Sequence, residues 1–431
     1  VSGTASDQAA GAAGTPAALP LPSGPPALSL PALAVRFLRF GLGAFGGPVV
    51  QIAALHQQLV VGERWVDADR FRRALAVYQA LPGPEATELC IWFGTVARGR
   101  LGGLVAGLGF MLPGCVLMLL ASTLLLGDTV WPAWLAAAIG GMQAGVVGIV
   151  LRAVWRLGRA TAGHHREGLA IAGGASLGAA CGVPFAVGLL GGAAVMLALQ
   201  LPRRLFAYGG ERRGNPALLG LAVGGWLFVA WLTASPTPAT TAGNTAPLLA
   251  AAVTPTALEL GTTGLRAGLL SFGGAYTTIP FLQADAVGPP GWMSEAQFVA
   301  GLSVGSVLPA PLVIVGTWVG FAGGGWPGAL LLTLGIFGPA FLFPLLLHHQ
   351  LERLVANRAL HACLDGIAAA VLGLLVVTAG QLATGLWERD AGALWLGGLA
   401  LAVVATWQHR LATPLALLAC ALLAAGTRGP A

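Results

Sequence analysis

The 431-residue chain has no lysine and little charge of either sign. Asp, Glu, Lys and Arg make up 9% of it, against roughly a quarter in an ordinary soluble domain. So few charges cannot cover a water-facing surface. That excludes a cytosolic enzyme, a nucleic-acid binder and a disordered chain. Cysteine is scarce too. Cys90, Cys115, Cys181, Cys363 and Cys420 stand singly, with no CxxC pair and no spacing that suits a metal or a redox centre. No glycine loop of the Walker type is present, which argues against direct use of ATP. No cofactor is expected. What remains is apolar: 56% of the residues are hydrophobic and the mean hydropathy is +0.80. The apolar runs are continuous rather than alternating, which points to an all-α polytopic membrane protein and away from a β-barrel.

Residues 1–31, rich in Ala, Gly, Pro and Ser, read as a disordered tail without the basic start and apolar core of a signal peptide. Two homologous halves are expected at 32–233 and 257–431, joined by a polar external linker at 234–256. Continuous spans are expected at 101–126, 133–151, 217–233, 327–347, 360–384, 392–408 and 411–426. Residues 168–201 read as two short spans turning at Gly182-Val183-Pro184. Other apolar segments are interrupted, at Phe45-Gly46-Gly47-Pro48, Leu81-Pro82-Gly83-Pro84, Phe272-Gly273-Gly274 and Pro309-Ala310-Pro311.

These interruptions repeat. Arg39 lies six residues before Phe45-Gly46-Gly47, and Arg266 lies six before Phe272-Gly273-Gly274. Trp65 matches Trp292, Phe71 matches Phe298, and Leu81-Pro82-Gly83-Pro84 matches Leu308-Pro309-Ala310-Pro311, all at an offset of 227. Gly109 and Pro113 match Gly335 and Pro339 at 226, and Gly141 and Gly148 match Gly366 and Gly373 at 225. The charges give the halves opposite orientations. Arg64, Arg70, Arg72, Arg73, Arg98 and Arg100 fill two first-half loops, whereas the matching loops at 285–296 and 322–326 hold no basic residue. The positive-inside rule makes the former cytoplasmic and the latter external, the pattern of an inverted-topology repeat.

Loops at 62–73 and 98–100 on one side require the segment between them to enter and return. A helical hairpin turning at Pro82-Gly83-Pro84 does this, and Phe45-Gly46-Gly47-Pro48 can turn likewise; kinked full spans are the alternative. Non-helical backbone at membrane depth needs protein or a wet cavity beside it. Helix ends and glycine turns there aim N–H groups inward, a setting for an anion. Arg39 and Arg266 would face opposite mouths of one route, and their planar forks suit an oxyanion. The alternative for Arg39 is a snorkelling anchor. Glu85 and Glu88 follow the second break inside apolar sequence, where a carboxylate must be paired or take up a proton. They are candidates for coupling or gating, with His56 a weaker one; helix capping and ion pairing are the alternative. Their second-half counterparts are Leu312 and Val315.

The stretch from Phe37-Leu38-Arg39-Phe40-Gly41-Leu42-Gly43-Ala44 through Phe45-Gly46-Gly47-Pro48 resembles the N-terminal signature of the chromate ion transporter family. The Trp65 segment, Leu81-Pro82-Gly83-Pro84 and Gly109-Phe110-Met111-Leu112-Pro113-Gly114 continue the likeness. Phe272-Gly273-Gly274 and Pro309-Ala310-Pro311 resemble its second-domain versions. The resemblance spans roughly residues 33–385. It departs at Ala44, where many members have Ser or Thr, and at Ala310, which replaces a glycine; Ser271 keeps a hydroxyl in the second copy. The resemblance implies a long, two-domain carrier in the bacterial inner membrane. It would export chromate, with sulfate as competitor, protons as a candidate coupling ion, lipid as its surroundings and a glycine-rich surface suited to a homodimer. An oxyanion channel and an uptake carrier are the rival readings. The duplicated breaks and arginines themselves make up the expected substrate site: Arg39, Phe45, Gly46, Gly47, Pro82, Gly83, Pro84, Arg266, Ser271, Gly273, Gly274, Pro309 and Ala310.

Overall fold

The computed structural model describes residues 24–81, 83–127, 132–164, 166–183, 185–200, 254–271, 275–287, 291–346, 358–407 and 409–427. Among these residues there is no strand. The first half contains α1 (Leu30–Leu42), α2 (Pro48–Leu55) with a π-helical continuation (His56–Gly62), α3 (Ala68–Ala80), α4 (Glu85–Leu125), α5 (Ala133–His164), α6 (Arg166–Ala180) and α7 (Phe185–Gln200). The second contains α8 (Ala257–Leu269), α9 (Thr278–Ala286), α10 (Glu295–Val307), α11 (Val315–Leu346), α12 (Arg358–Asp390), α13 (Leu394–Thr406) and α14 (Ala412–Thr427). The expected span at 217–233, nearly all of the linker and most of the N-terminal tail lie outside the described residues.

Helix α1 begins slightly before the expected boundary, because the Ser29 hydroxyl accepts the Ala32 N–H and Pro31 suits the first turn. It stops at Gly43, and α2 leads the chain back. Glu63, just past the π-helical stretch, pairs with Arg36 in α1, and the Arg36 guanidinium lies 5.1 Å from the Trp65 ring centre. Residues 43–47 are therefore the tip of a hairpin. Helix α3 starts on Asp67, whose carboxylate accepts the Arg70 N–H at 2.7 Å, a bond that holds this loop carboxyl below its ordinary range. It ends at the second break, after which residues 85–97 form the first arm of α4. At Arg98-Gly99 that helix turns sharply, Gly99 taking φ 63°, and folds back on itself. Gly94 then meets Gly102 and Ala106, while Ile91 meets Gly103 and Gly107. A Cβ on Gly94 would strike the Gly102 carbonyl, so this antiparallel contact demands glycine.

Helices α1 and α3 have 13 residues each. At 1.5 Å per residue they reach about 20 Å, short of a hydrocarbon core of roughly 30 Å. An aromatic group packs the bases of both hairpins, with Phe93 stacked on Phe71 at 6.1 Å and edge-on to Trp65 at 6.2 Å. The second half repeats the arrangement. Gly324-Gly325 turns α11 where Arg98-Gly99 turns α4, and φ is 58° at Gly325. Trp292 donates its indole N–H to the Val319 carbonyl at 3.0 Å, holding the end of the first hairpin beside that turn.

The long arms of α4 and α11 run antiparallel: Leu345 packs over Gly103 and Phe341 over Gly107. The terminal helix pairs are exchanged between halves. Helices α6 and α7 pack on α12, through Ala172 at Gly373 and Gly192 at Gly366. Helices α13 and α14 pack on α5, through Gly397 at Gly148 and Leu417 at Gly145. Ala172 to Gly397 and Gly192 to Leu417 are again offsets of 225. On the outside, Leu101, Leu104, Leu108, Leu112, Val116, Leu120 and Leu124 form one exposed apolar stripe on α4, the face such a helix presents to lipid.

Candidate functional site

The tips of the hairpins meet across the two halves. Gly83 donates its N–H to the Ser271 carbonyl at 3.1 Å. The Gln51 amide donates to the Ala44 carbonyl at 2.8 Å and to the Ala310 carbonyl at 3.3 Å. Gly83 also lies against Ala340, and Gly114 against Ala310. Since 310 − 83 = 227 and 340 − 114 = 226, these are one contact made twice. Gly46 and Gly47 turn at φ 88° and 80°, conformations that favour glycine. Pro84 precedes the first residue of α4, and Ser271, Pro309 and Ala310 are buried. Pro82, Gly273 and Gly274 lie outside the described residues.

Around this junction the polar side chains are few. Glu85 and Glu88 are buried at the start of α4, and Glu88 has no exposed surface. Its carboxyl lies directly beneath Gly83, and neither oxygen has a hydrogen-bond partner among the described residues. Glu85 feels the positive charge of Arg156 from α5 and a hydrogen bond from Gln79. Arg156 also lies 5.9 Å from the ring centre of Tyr276, whose hydroxyl sits 3.7 Å from where a Cβ on Gly47 would be. His56 stands apart, nine residues beyond Gly47, with its ring 4.9 Å from that of Phe71. No cluster of side chains fit for a metal ion occurs among the described residues.

A cavity of about 520 Å³ opens between α1 and α2. Arg36, Arg39, Gln58 and Arg410 line it, and it reaches down to Ala44, Phe45 and Gln51 at the break. Arg36 is neutralised by Glu63, whereas Arg39 is exposed and has no carboxylate partner among the described residues. Arg266, its counterpart, pairs with Asp285 at 3.5 Å and is half exposed. Gln58 occupies the first-half position of Asp285, since 285 − 58 = 227. One mouth thus carries a free cation and the other a compensated pair.

The family described as chromate transporter matches residues 31–240 and 258–425. The chain is 43% identical over 407 residues to the chromate transport protein of Pseudomonas aeruginosa, covering 92% of each. It is 27% identical to the probable chromate transport protein of Synechococcus elongatus, over 92% of this chain and 95% of that one. The chromate transport protein of Cupriavidus metallidurans is 26% identical over 81% of this chain and 82% of its own length. No solved structure matches. The chain belongs to the chromate transporter family.

This family member is a transporter and not an enzyme. Four of its described helices are long and apolar enough to cross a membrane, which makes it a multi-pass membrane protein. The transporter's junction includes residues that sequence reasoning did not single out as site residues. Gln51 is one, and Arg152, Arg156, Arg410 and Tyr276 are others. Arg152 and Arg156 lie just past the span expected at 133–151. Their signal was the four-residue spacing within an apolar span that runs from Ala133 to Arg159.

Proposed function

We propose that the protein is a secondary carrier that exports chromate across the bacterial cytoplasmic membrane by alternating access, with sulfate as a competing substrate. The observation that carries this reading is the pair of reciprocal contacts between hairpin tips, Gly83 with Ser271 and Ala44 with Ala310 through Gln51. Antiparallel long arms and exchanged terminal helices support an inverted-topology repeat, a design in which the halves rock about a central site. Chromate as substrate rests on the family and on the relatives named above. The dianion lies between the turns at Gly46-Gly47, Gly83, Gly273-Gly274 and Ala310. Arg39 guides it from the cytoplasmic mouth, and Arg266 stands at the external one.

Glu85 and Glu88 serve coupling or gating, since each would cost a membrane protein stability without a role or partner. An inside-negative potential also favours export, by about 2.3 kcal/mol per elementary charge at 100 mV. A homodimer in the inner membrane completes the reading. The test is chromate flux in proteoliposomes, with pH and voltage gradients imposed separately. Efflux driven by either gradient is expected. Flux that no gradient drives outward, or that is seen only for unrelated anions, would refute it.

A further inference from the structure

The scaffold is duplicated, but its polar residues at the junction are not. At the repeat offsets Glu85 corresponds to Leu312, Glu88 to Val315, Tyr276 to Val49, Arg152 to Val377 and Arg156 to Gln381. Every one of these charges and the tyrosine hydroxyl is missing from the opposite half. Yet they come from both halves and converge. Arg156 of α5 acts on Glu85 of α4 and lies over Tyr276, which precedes α9; Arg152 acts on the same Tyr276.

Arg152 and Arg156 stand one turn apart on a membrane-spanning helix, where like charges repel. Among the described residues neither makes an ion pair. Arg152 is half-buried and Arg156 exposed on this helix, and the carboxylate that Arg156 acts on is Glu85. Two forked guanidinium groups match a tetrahedral dianion in charge and in donor geometry. Tyr276 adds a hydroxyl next to Gly47, which joins this cationic face to the first break.

We propose that Arg152 and Arg156 bind the transported oxyanion, a tetrahedral dianion of the chromate or sulfate type, and that the nearby charge of Glu85 competes with the ion for Arg156. This rests on the carrier reading above, and it adds a binding face to the hairpin turns. Competition between Glu85 and the substrate has a consequence that a structural role lacks: removing the carboxylate charge strengthens substrate binding.

The experiment measures chromate binding, with sulfate as competitor, to purified, monodisperse protein. Arg152→Gln and Arg156→Gln should each weaken binding by about tenfold or more, the size of a lost charge-assisted pair of hydrogen bonds. Arg156→Lys should retain part of the affinity. Arg159→Gln, a change on the same helix at a residue that lies over Trp155 rather than Tyr276, should leave it unchanged. Glu85→Gln should tighten binding several-fold, and it gives the answer alone where an arginine variant does not fold. Wild-type affinity in folded Arg152→Gln and Arg156→Gln, equal weakening by Arg159→Gln, or no tightening in Glu85→Gln overturns the proposal. If the wild-type protein itself binds neither chromate nor sulfate, the carrier reading fails as well.

Discussion

Gly83 donates its backbone N–H to the carbonyl of Ser271 at 3.1 Å, tying the tip of one hairpin to the tip of another from the opposite half. Neither tip is helical, so each has backbone groups that the surrounding apolar helices cannot satisfy. Mutual pairing answers that need.

The turn at Gly83 should be intolerant of a side chain. Its φ is 150°, and a Cβ would lie 2.7 Å from Glu88 Oε1 and 3.4 Å from Ala340 Cβ. Gly83→Ala is expected to cost about 1–3 kcal/mol and to abolish transport beyond what the loss of folded protein explains. Gly99→Ala provides the comparison. Gly99 has φ 63° but no atom within 4 Å of the added Cβ, so roughly 1–2 kcal/mol is expected, with transport retained. Thermal unfolding in detergent and flux per folded molecule check both.

The two mouths should respond differently to loss of arginine. Arg39→Gln removes a free cation from the cavity wall and should lower chromate flux several-fold at low ionic strength, less so as salt screens the attraction. Arg266 is half exposed, but its partner Asp285 is largely buried. Arg266→Gln leaves that carboxylate without its ion pair and should lower stability, whereas Asp285→Asn removes the charge and should cost less. Equal salt dependence of flux in Arg39→Gln and Arg266→Gln would count against a guiding role for Arg39.

Single cysteines placed in a cysteine-free background locate the loops. Arg72→Cys and Ser294→Cys replace exposed residues at the bases of equivalent hairpins. An impermeant thiol reagent added outside should label Cys at 294 and spare Cys at 72. Labelling of both from one side would rule out the inverted arrangement.

The breaks at Phe45-Gly46-Gly47-Pro48, Leu81-Pro82-Gly83-Pro84 and Pro309-Ala310-Pro311 were legible in the sequence because Gly and Pro interrupt apolar helices in few ways, and copies at one offset separate signal from composition. The turn at Arg98-Gly99 was read only as a loop with two arginines, though it folds α4 sharply back on itself. The correspondences of Ala172 with Gly397 and of Gly192 with Leu417 were hidden because Ala, Gly and Leu pack such helices interchangeably. Exchange of the terminal helix pairs depends on contacts far apart in sequence, as between Ala172 and Gly373, and no local pattern encodes it. Arg152 and Arg156 form no motif in the sequence. Topology rules count charges, and the face of α5 on which they lie matters only once Tyr276 and Glu85 are brought beside them.

Counterflow tests the carrier most directly. Proteoliposomes loaded with unlabelled chromate should take up labelled chromate faster than empty ones, with a rate that saturates, because a site exposed to one side at a time returns more quickly when occupied. Uptake that rises linearly with concentration and gains nothing from internal chromate would contradict alternating access and leave an open anion pathway in its place.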